Sequence, residues 1–180
     1  MADCHVIDTN VLMVASAADG QSPFDEGATP VDDPALRKRV LDWLISVDKS
    51  TAKVVLDWDW MICTEYLGAT KRHRLCEQDY GWLMMMSKVD RGEVVWIGLE
   101  TDKDGNAKLP ITLECHVSDR ADRKMVAAVL AAITEGADCN LVNSCDDDWY
   151  SCQSALTDHN VLVMQLLHSW LHPKWLKKQK

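Results

Sequence analysis

Positive charge is scarce in this chain: 19 Lys and Arg face 28 Asp and Glu, a net charge of −9 over 180 residues. A protein that tracks phosphates over a long stretch needs a basic surface, so this balance argues against tight non-specific binding to DNA. Long apolar runs are missing as well. The apolar run over residues 126–133 is far short of the roughly 20 residues that cross a bilayer, and no leader-like segment is expected before Asp3. The expected setting is a reducing cytoplasm, with no membrane association. The seven Cys include no Cys-x-x-Cys pair, which argues against the usual zinc and disulfide frameworks; Cys4-His5 and Cys115-His116 read as strand residues. Gly-x-Ser-x-Gly and Gly-x-x-x-x-Gly-Lys are absent too, removing the strained serine elbow and the phosphate-cradling loop. Phe occurs once against eight Trp and eight Met, so the core is expected to be Trp- and Met-rich.

What is present is a globular composition, 47% hydrophobic and 26% charged, on a length that suits a single domain spanning residues 1–180. Short apolar strands alternate with helical patterns. Val6-Ile7 reads as a buried strand ending at Asp8, and residues 11–15 as the helix that follows. Gly, Pro and Asp mark residues 18–33 as loop; Asp33 then caps a helix with Pro34 in its first turn. Lys53-Val54-Val55-Leu56-Asp57 is a second strand, after which Asp57 or Asp59 starts a helix carrying Trp60, Cys63 and Leu67. A helix over residues 77–90 and a strand over 93–99 follow. Asp104-Gly105 supplies turn chemistry, and residues 111–115 read as an extension or partial hairpin. Asp119 opens a strong helix with Val126, Val129, Leu130 and Ile133 as its stripe, ended by Gly136. Strands at 139–143 and 161–163 flank a short helix, and a last helix over 165–172 stops at Pro173. Such alternation indicates an α/β fold, a parallel sheet flanked by helices.

Asp8 and Asp146 each directly follow a short apolar strand, so in a parallel sheet both emerge at the same edge. Asp122 falls in the first turn of its helix and Glu65 in the first two turns after the second strand; helix N-termini lie at that same edge. Asp148 is a fifth candidate. Taken singly, each has a structural explanation: Asp8-Thr9 is a good N-cap, Asp122 complements a helix start, Glu65 suits a solvated surface, and Asp146-Asp147-Asp148 suits a charged turn. Brought together, the carboxylates repel and raise one another's pKa unless cations sit between them. Hard oxygen ligands of this kind suit Mg²⁺ or Mn²⁺.

The same residues carry a resemblance. Val6-Ile7-Asp8-Thr9-Asn10-Val11-Leu12 resembles the opening of a PIN domain, a family of metal-dependent nucleases. Glu65 in Glu65-Tyr66, Asp122 in Asp122-Arg123-Lys124-Met125-Val126-Ala127, and Asp146 in Ser144-Cys145-Asp146-Asp147-Asp148-Trp149 follow in the family's order, over about residues 6–163. The resemblance implies a three-layer α/β/α sandwich with a central, mostly parallel sheet of about five strands. It implies Asp8, Glu65, Asp122 and Asp146 as catalytic metal ligands, and leaves open which of Asp146, Asp147 and Asp148 bind. Asn10 and Ser144 match polar positions whose hydrogen bonds would orient carboxylates.

The activity implied is Mg²⁺- or Mn²⁺-dependent endoribonuclease chemistry, in which cations activate water and stabilise a leaving oxygen. RNA is the commoner substrate class in the family. Roles as a toxin restrained by an antitoxin partner, or in phage defence, are implied too. Arg120, Arg123 and Lys124 are the candidates for the substrate phosphate, and a homodimer is one way to assemble a larger basic surface. The run at residues 71–74 is another candidate guide, although such runs are usually solvated faces. His168 and His172, four apart, read as structural. The rival readings are a non-catalytic PIN-like module that binds protein or RNA, and a metal-dependent phosphatase.

Overall fold

The strand β1 (Cys4–Ile7) is buried at every position, as expected for a strand covered on both faces of a parallel sheet. In a computed structural model of the chain, which describes residues 2–22, 27, 29–70 and 79–179, β1 lies at the centre. Four strands join it: β2 (Lys53–Asp57), β3 (Val94–Ile97), β4 (Cys139–Asn143) and β5 (Val163–Gln165). The order across the sheet is β3-β2-β1-β4-β5, and every pairing is parallel. Helices complete a three-layer α/β/α fold. The chain builds outward from β1 to β2 and β3, then returns to place β4 on the other flank of β1. The carboxyl ends of β1 and β4 therefore bound the switch point, the crevice where open α/β sheets bind ligands.

Local chemistry sets the helix starts. The Asp8 side chain accepts from Asn10 N to cap α1 (Thr9–Ser16). Asp33 caps α2 (Pro34–Lys49), whose Pro34 fills the first turn. The Asp57 carboxylate takes both Met61 N and Ile62 N, 2.8 Å each, at the start of α3 (Met61–Thr70). Asp79 caps α4 (Tyr80–Asp90); the expected start at Glu77 lies outside the described residues, as does the basic run at residues 71–74. Asp119 caps α6 (Arg120–Thr134), and Gly136 closes it at φ +89°, a backbone conformation that glycine adopts without strain. Met125, Val126, Ala128, Val129 and Ala132 of α6 are buried where the helix crosses β1, β2, β3 and β4.

Several expectations need correction. Residues 111–115 are not an extension: α5 (Ile111–Glu114) is a helical turn started by Pro110, with Leu113 N bonded to Pro110 O and Leu113 fully buried. Cys115-His116 is thus turn rather than strand. The short helix after the acidic run is two, α7 (Asp148–Ser151) and α8 (Gln153–Asp158). Asn160 at φ +60° follows α8, and residues 161–162 carry the chain back, so β5 starts two residues later than the apolar pattern suggested.

The last helix, α9 (His168–Lys178), runs through Pro173. Proline removes one internal donor, and rings spanning it hold both halves together: His168 on His172 at 5.0 Å, His172 on Trp175 at 5.7 Å, and Tyr150 against all three. The core is rich in Met, with Met84, Met85 and Met125 buried, but Trp149 is the one fully buried Trp. Trp60 precedes α3 and is exposed. No helix among the described residues is long and apolar enough to cross a membrane.

Gly81 marks the tightest approach of α4 to α1. A Cβ there would lie 2.8 Å from Leu12 Cβ and 3.2 Å from Leu12 Cα. Gly→Ala inside a helix ordinarily stabilises by up to about 1 kcal/mol. Gly81→Ala is expected instead to lose about 1–3 kcal/mol by overpacking, measured by urea unfolding. Gly68→Ala in α3, with nothing within 4 Å of the added carbon among the described residues, is the control and should be neutral or stabilising. Equal gains in both would contradict the close packing of α4 on α1.

Candidate functional site

Asp8, at the end of β1, is only 7% exposed. Its Oδ1 accepts from Asn10 N (3.0 Å) and its Oδ2 from the indole Nε1 of Trp149 (2.8 Å). Burial pushes its carboxyl up to about 7, with smaller contributions from Asp146 and Glu65, while the two hydrogen bonds pull the other way. Asp122, in the first turn of α6, is raised to about 8 by burial and then by the charges of Asp8 and Asp146. Asp146 rises too, through burial and then Asp148 and Asp147, partly offset by the Asp148 N–H. These mutual effects mean that carboxylates from three separated segments lie within one another's field. No hydrogen bond or ion pair reaches the Asp122 carboxylate among the described residues.

Glu65 joins the cluster with its charge already matched. Thr9 Oγ1 donates to Glu65 Oε1 at 2.7 Å, and the Lys124 ammonium sits against Oε2. Lys124 is therefore an internal counter-ion rather than an open phosphate contact. Arg123 is also engaged within the chain: its guanidinium donates to Val117 O (3.2 Å) and Glu114 O (3.0 Å) and lies 3.8 Å from the Glu114 carboxylate. Of the three expected phosphate contacts, Arg120 alone is exposed at the surface.

Asn10 and Ser144 act differently from expectation. Asn10 Oδ1 accepts from Ser144 N (3.0 Å) and Ser144 Oγ (2.6 Å), and Asn10 Nδ2 donates to Asn143 Oδ1 (2.9 Å). Asn143 Nδ2 donates in turn to Asp146 O (2.7 Å) and Gln165 Oε1 (2.6 Å), and its Oδ1 accepts from Asp146 N (3.1 Å). The pair thus locks α1 onto the 143–146 turn and sets where Asp146 stands, without either side chain bonding a carboxylate. Thr9, Asn143, Trp149 and Gln165 were missed by sequence reasoning. Asn143 had a signal, being a polar residue at the end of a buried strand; the others had none that was local.

Within the acidic run, Asp146, Asp147 and Asp148 form the one group of metal-capable side chains among the described residues whose ligand atoms all fall within 4.8 Å. No group of three that includes Asp8, Glu65 or Asp122 comes that close among the described residues. Asp147 is tied to Lys178 of α9 at 2.7 Å, which leaves Asp146 and Asp148 as the more available members. Asp148 and Asp122 both line a cleft of about 190 Å³, together with His116, Asp119, Trp149 and Cys152. No protein-family model, curated protein or solved structure matches the chain. The fold and this geometry therefore carry the functional argument.

The raised carboxyls have a consequence for stability. Asp8 and Asp122 keep their protons up to about 7 and 8 when folded, against an ordinary 3.8. The folded state thus binds more protons across that window, and the stability these groups contribute is greatest below pH 3.8 and lost as pH rises through 7 to 8. Metal-free protein is expected to melt lower at about pH 9 than at about pH 5. Asp8→Asn keeps one oxygen for the cap but turns an amide donor on the Trp149 indole N–H, so it should cost stability at pH 5 while flattening the pH slope. An unchanged slope would take Asp8 out of the crowded cluster.

Proposed function

We propose that this chain is a PIN-like, Mg²⁺- or Mn²⁺-dependent endoribonuclease. The observation that carries the reading is the Asp122 carboxylate: half-buried, unpaired among the described residues, and within the field of Asp8 and Asp146. Such crowding is relieved by a cation, and an all-oxygen donor set suits a hard divalent ion. Asp8, Asp122 and Asp146 would hold it, with Asp148 at the rim of the cleft. When bound, the ion supplies the Lewis acidity that activates water and stabilises charge on the phosphodiester leaving group. The chain's own part is positioning. Trp149 and the α1 amide fix Asp8, and the Asn10–Asn143–Ser144 network fixes Asp146. Lys124 neutralises Glu65, which lowers the charge the ion must balance and leaves Glu65 a supporting role. RNA as substrate, and a role as a restrained toxin or in phage defence, rest on the family resemblance.

The Glu65–Lys124 pair favours a second reading, a non-catalytic module whose acids are partly satisfied from within. Cleavage of a single-stranded RNA in Mg²⁺ or Mn²⁺ separates the two. Activity should vanish in excess EDTA, and Ca²⁺ should bind without supporting turnover, being larger and looser in geometry. Asp122→Asn should lose on the order of 100-fold or more, the scale for removing a group that helps stabilise developing charge. Undiminished cleavage in chelator would overturn the metal-dependent reading. Ion binding without cleavage would favour the module, and turnover of a small phosphomonoester but not RNA would favour a phosphatase.

A further inference from the structure

Away from the carboxylates, exposed aromatic surface gathers at one place on the sheet edge. Trp58 and Trp60 lie just past the carboxyl end of β2, 63% and 42% exposed, and Trp96 is the penultimate residue of β3. The Trp58 and Trp96 rings stack with centroids 4.9 Å apart and planes 19° from parallel. Trp60 leans on the same ring at 6.1 Å and 48°. The turn that presents them is pinned on both sides. Trp58 N donates to Ile97 O (3.0 Å), Trp60 N donates to Asp57 O (3.1 Å), and the Asp57 carboxylate holds the first amides of α3. Trp60 sits at φ +60°, a region that bulky residues rarely adopt. The fold thus keeps two tryptophans outside in a fixed arrangement.

We propose that Trp58, Trp60 and Trp96 form a stacking platform for the unpaired nucleobases of a single strand entering the carboxylate site. The choice of ligand rests on the nuclease reading above, and three features of the chain support it. First, β2 is paired directly to β1, so the platform and Asp8 share one sheet edge, separated by one to two strand spacings, roughly 5–10 Å. Second, in a chain of net charge −9, Lys124 and Arg123 beside the acids are engaged internally, which leaves Arg120 of that basic group for phosphates. Stacking on aromatic faces holds a strand without counter-charge and tolerates any base sequence. Third, the near-parallel Trp96–Trp58 pair leaves the outer face of Trp58 open, and a planar base placed there continues the stack. The same face reads no 2′-hydroxyl, so RNA and DNA strands should use it alike.

The test is binding of labelled single strands of about ten nucleotides, a length within the usual site sizes, to the full chain in EDTA. Without metal, binding is read independently of cleavage. Trp58→Ala should weaken binding of both RNA and DNA by roughly 5- to 100-fold, and Trp58→Phe should retain most of it. An otherwise identical abasic strand should bind wild type about as weakly as the intact strand binds Trp58→Ala. The salt dependence should be unchanged by the substitution, because no phosphate contact is lost. Wild-type affinity in Trp58→Ala, equal affinity for the abasic strand, or no binding by the wild type would overturn the platform. So would a change in oligomeric state on Trp58→Ala, read by light scattering without nucleic acid, which would make the patch a self-association surface. Trp58-dependent binding by a protein that cleaves nothing would remove the nuclease and leave the platform standing. Cleavage with Trp58-independent binding would do the reverse.

Discussion

The hydrogen bonds that converge on Asp8 connect the elements that carry the candidate site. One oxygen ends β1 and starts α1 through Asn10 N, and the other draws the indole of Trp149 inward from α7. A buried carboxylate without such donors would be costly. With them, it becomes a fixed point against which the 143–149 segment is positioned across a sequence separation of 141 residues. The hydrogen bonds also account for the packing: Trp149, the largest buried side chain, is placed by its own N–H. Replacing Asp8 therefore acts on two helices and a loop, and a change in ion binding would be one consequence among several.

The site holds two kinds of electrostatic settlement side by side. Glu65 is matched by Lys124 and Asp147 by Lys178, whereas Asp8, Asp122 and Asp146 are held near one another and pushed towards protonation. Functional sites commonly sacrifice stability in this way. The distribution is informative because the satisfied acids lie outside the trio. A surface that was acidic merely for solubility would show exposed, separated carboxylates, not part-buried ones held within one another's field and pushed towards protonation.

Much of the fold was legible because its signals are local. Lys53–Asp57 is β-branched and apolar and forms the strand as read, and the Asp119 cap and Gly136 terminus bound α6 as expected. What could not be read locally depends on distant partners. Pro173 looks like a helix stop until the rings of Tyr150, His172 and Trp175 are seen to bridge it. Residues 111–115 carry strand-like Ile and Thr, and the burial of Leu113 decides their conformation. In the site, the positions of the acids followed from strand ends and helix starts, while the work of Asn10 and Ser144 did not. Their spacing to one another is 134 residues, and nothing near either indicates that they bond each other instead of a carboxylate. The internal pairing of Lys124 and Arg123 was hidden for the same reason.

The contact between Gly81 and Leu12 reaches further than helix packing. Leu12 lies on α1, whose first turn carries Asp8 as its cap and Asn10 as the anchor of the acidic turn. With α4 seated so closely that one methyl group would collide, α1 has no room to slide or tilt towards it. An ion held by Asp8 would meet a ligand carried at the start of a helix that cannot shift towards α4. Rigid oxygen sites discriminate by ionic radius, whereas yielding ones accommodate larger ions by adding ligands. On the metal-dependent reading proposed above, the spacing of two helices on one flank of the sheet would become a determinant of which cation the site at the carboxyl end of β1 prefers.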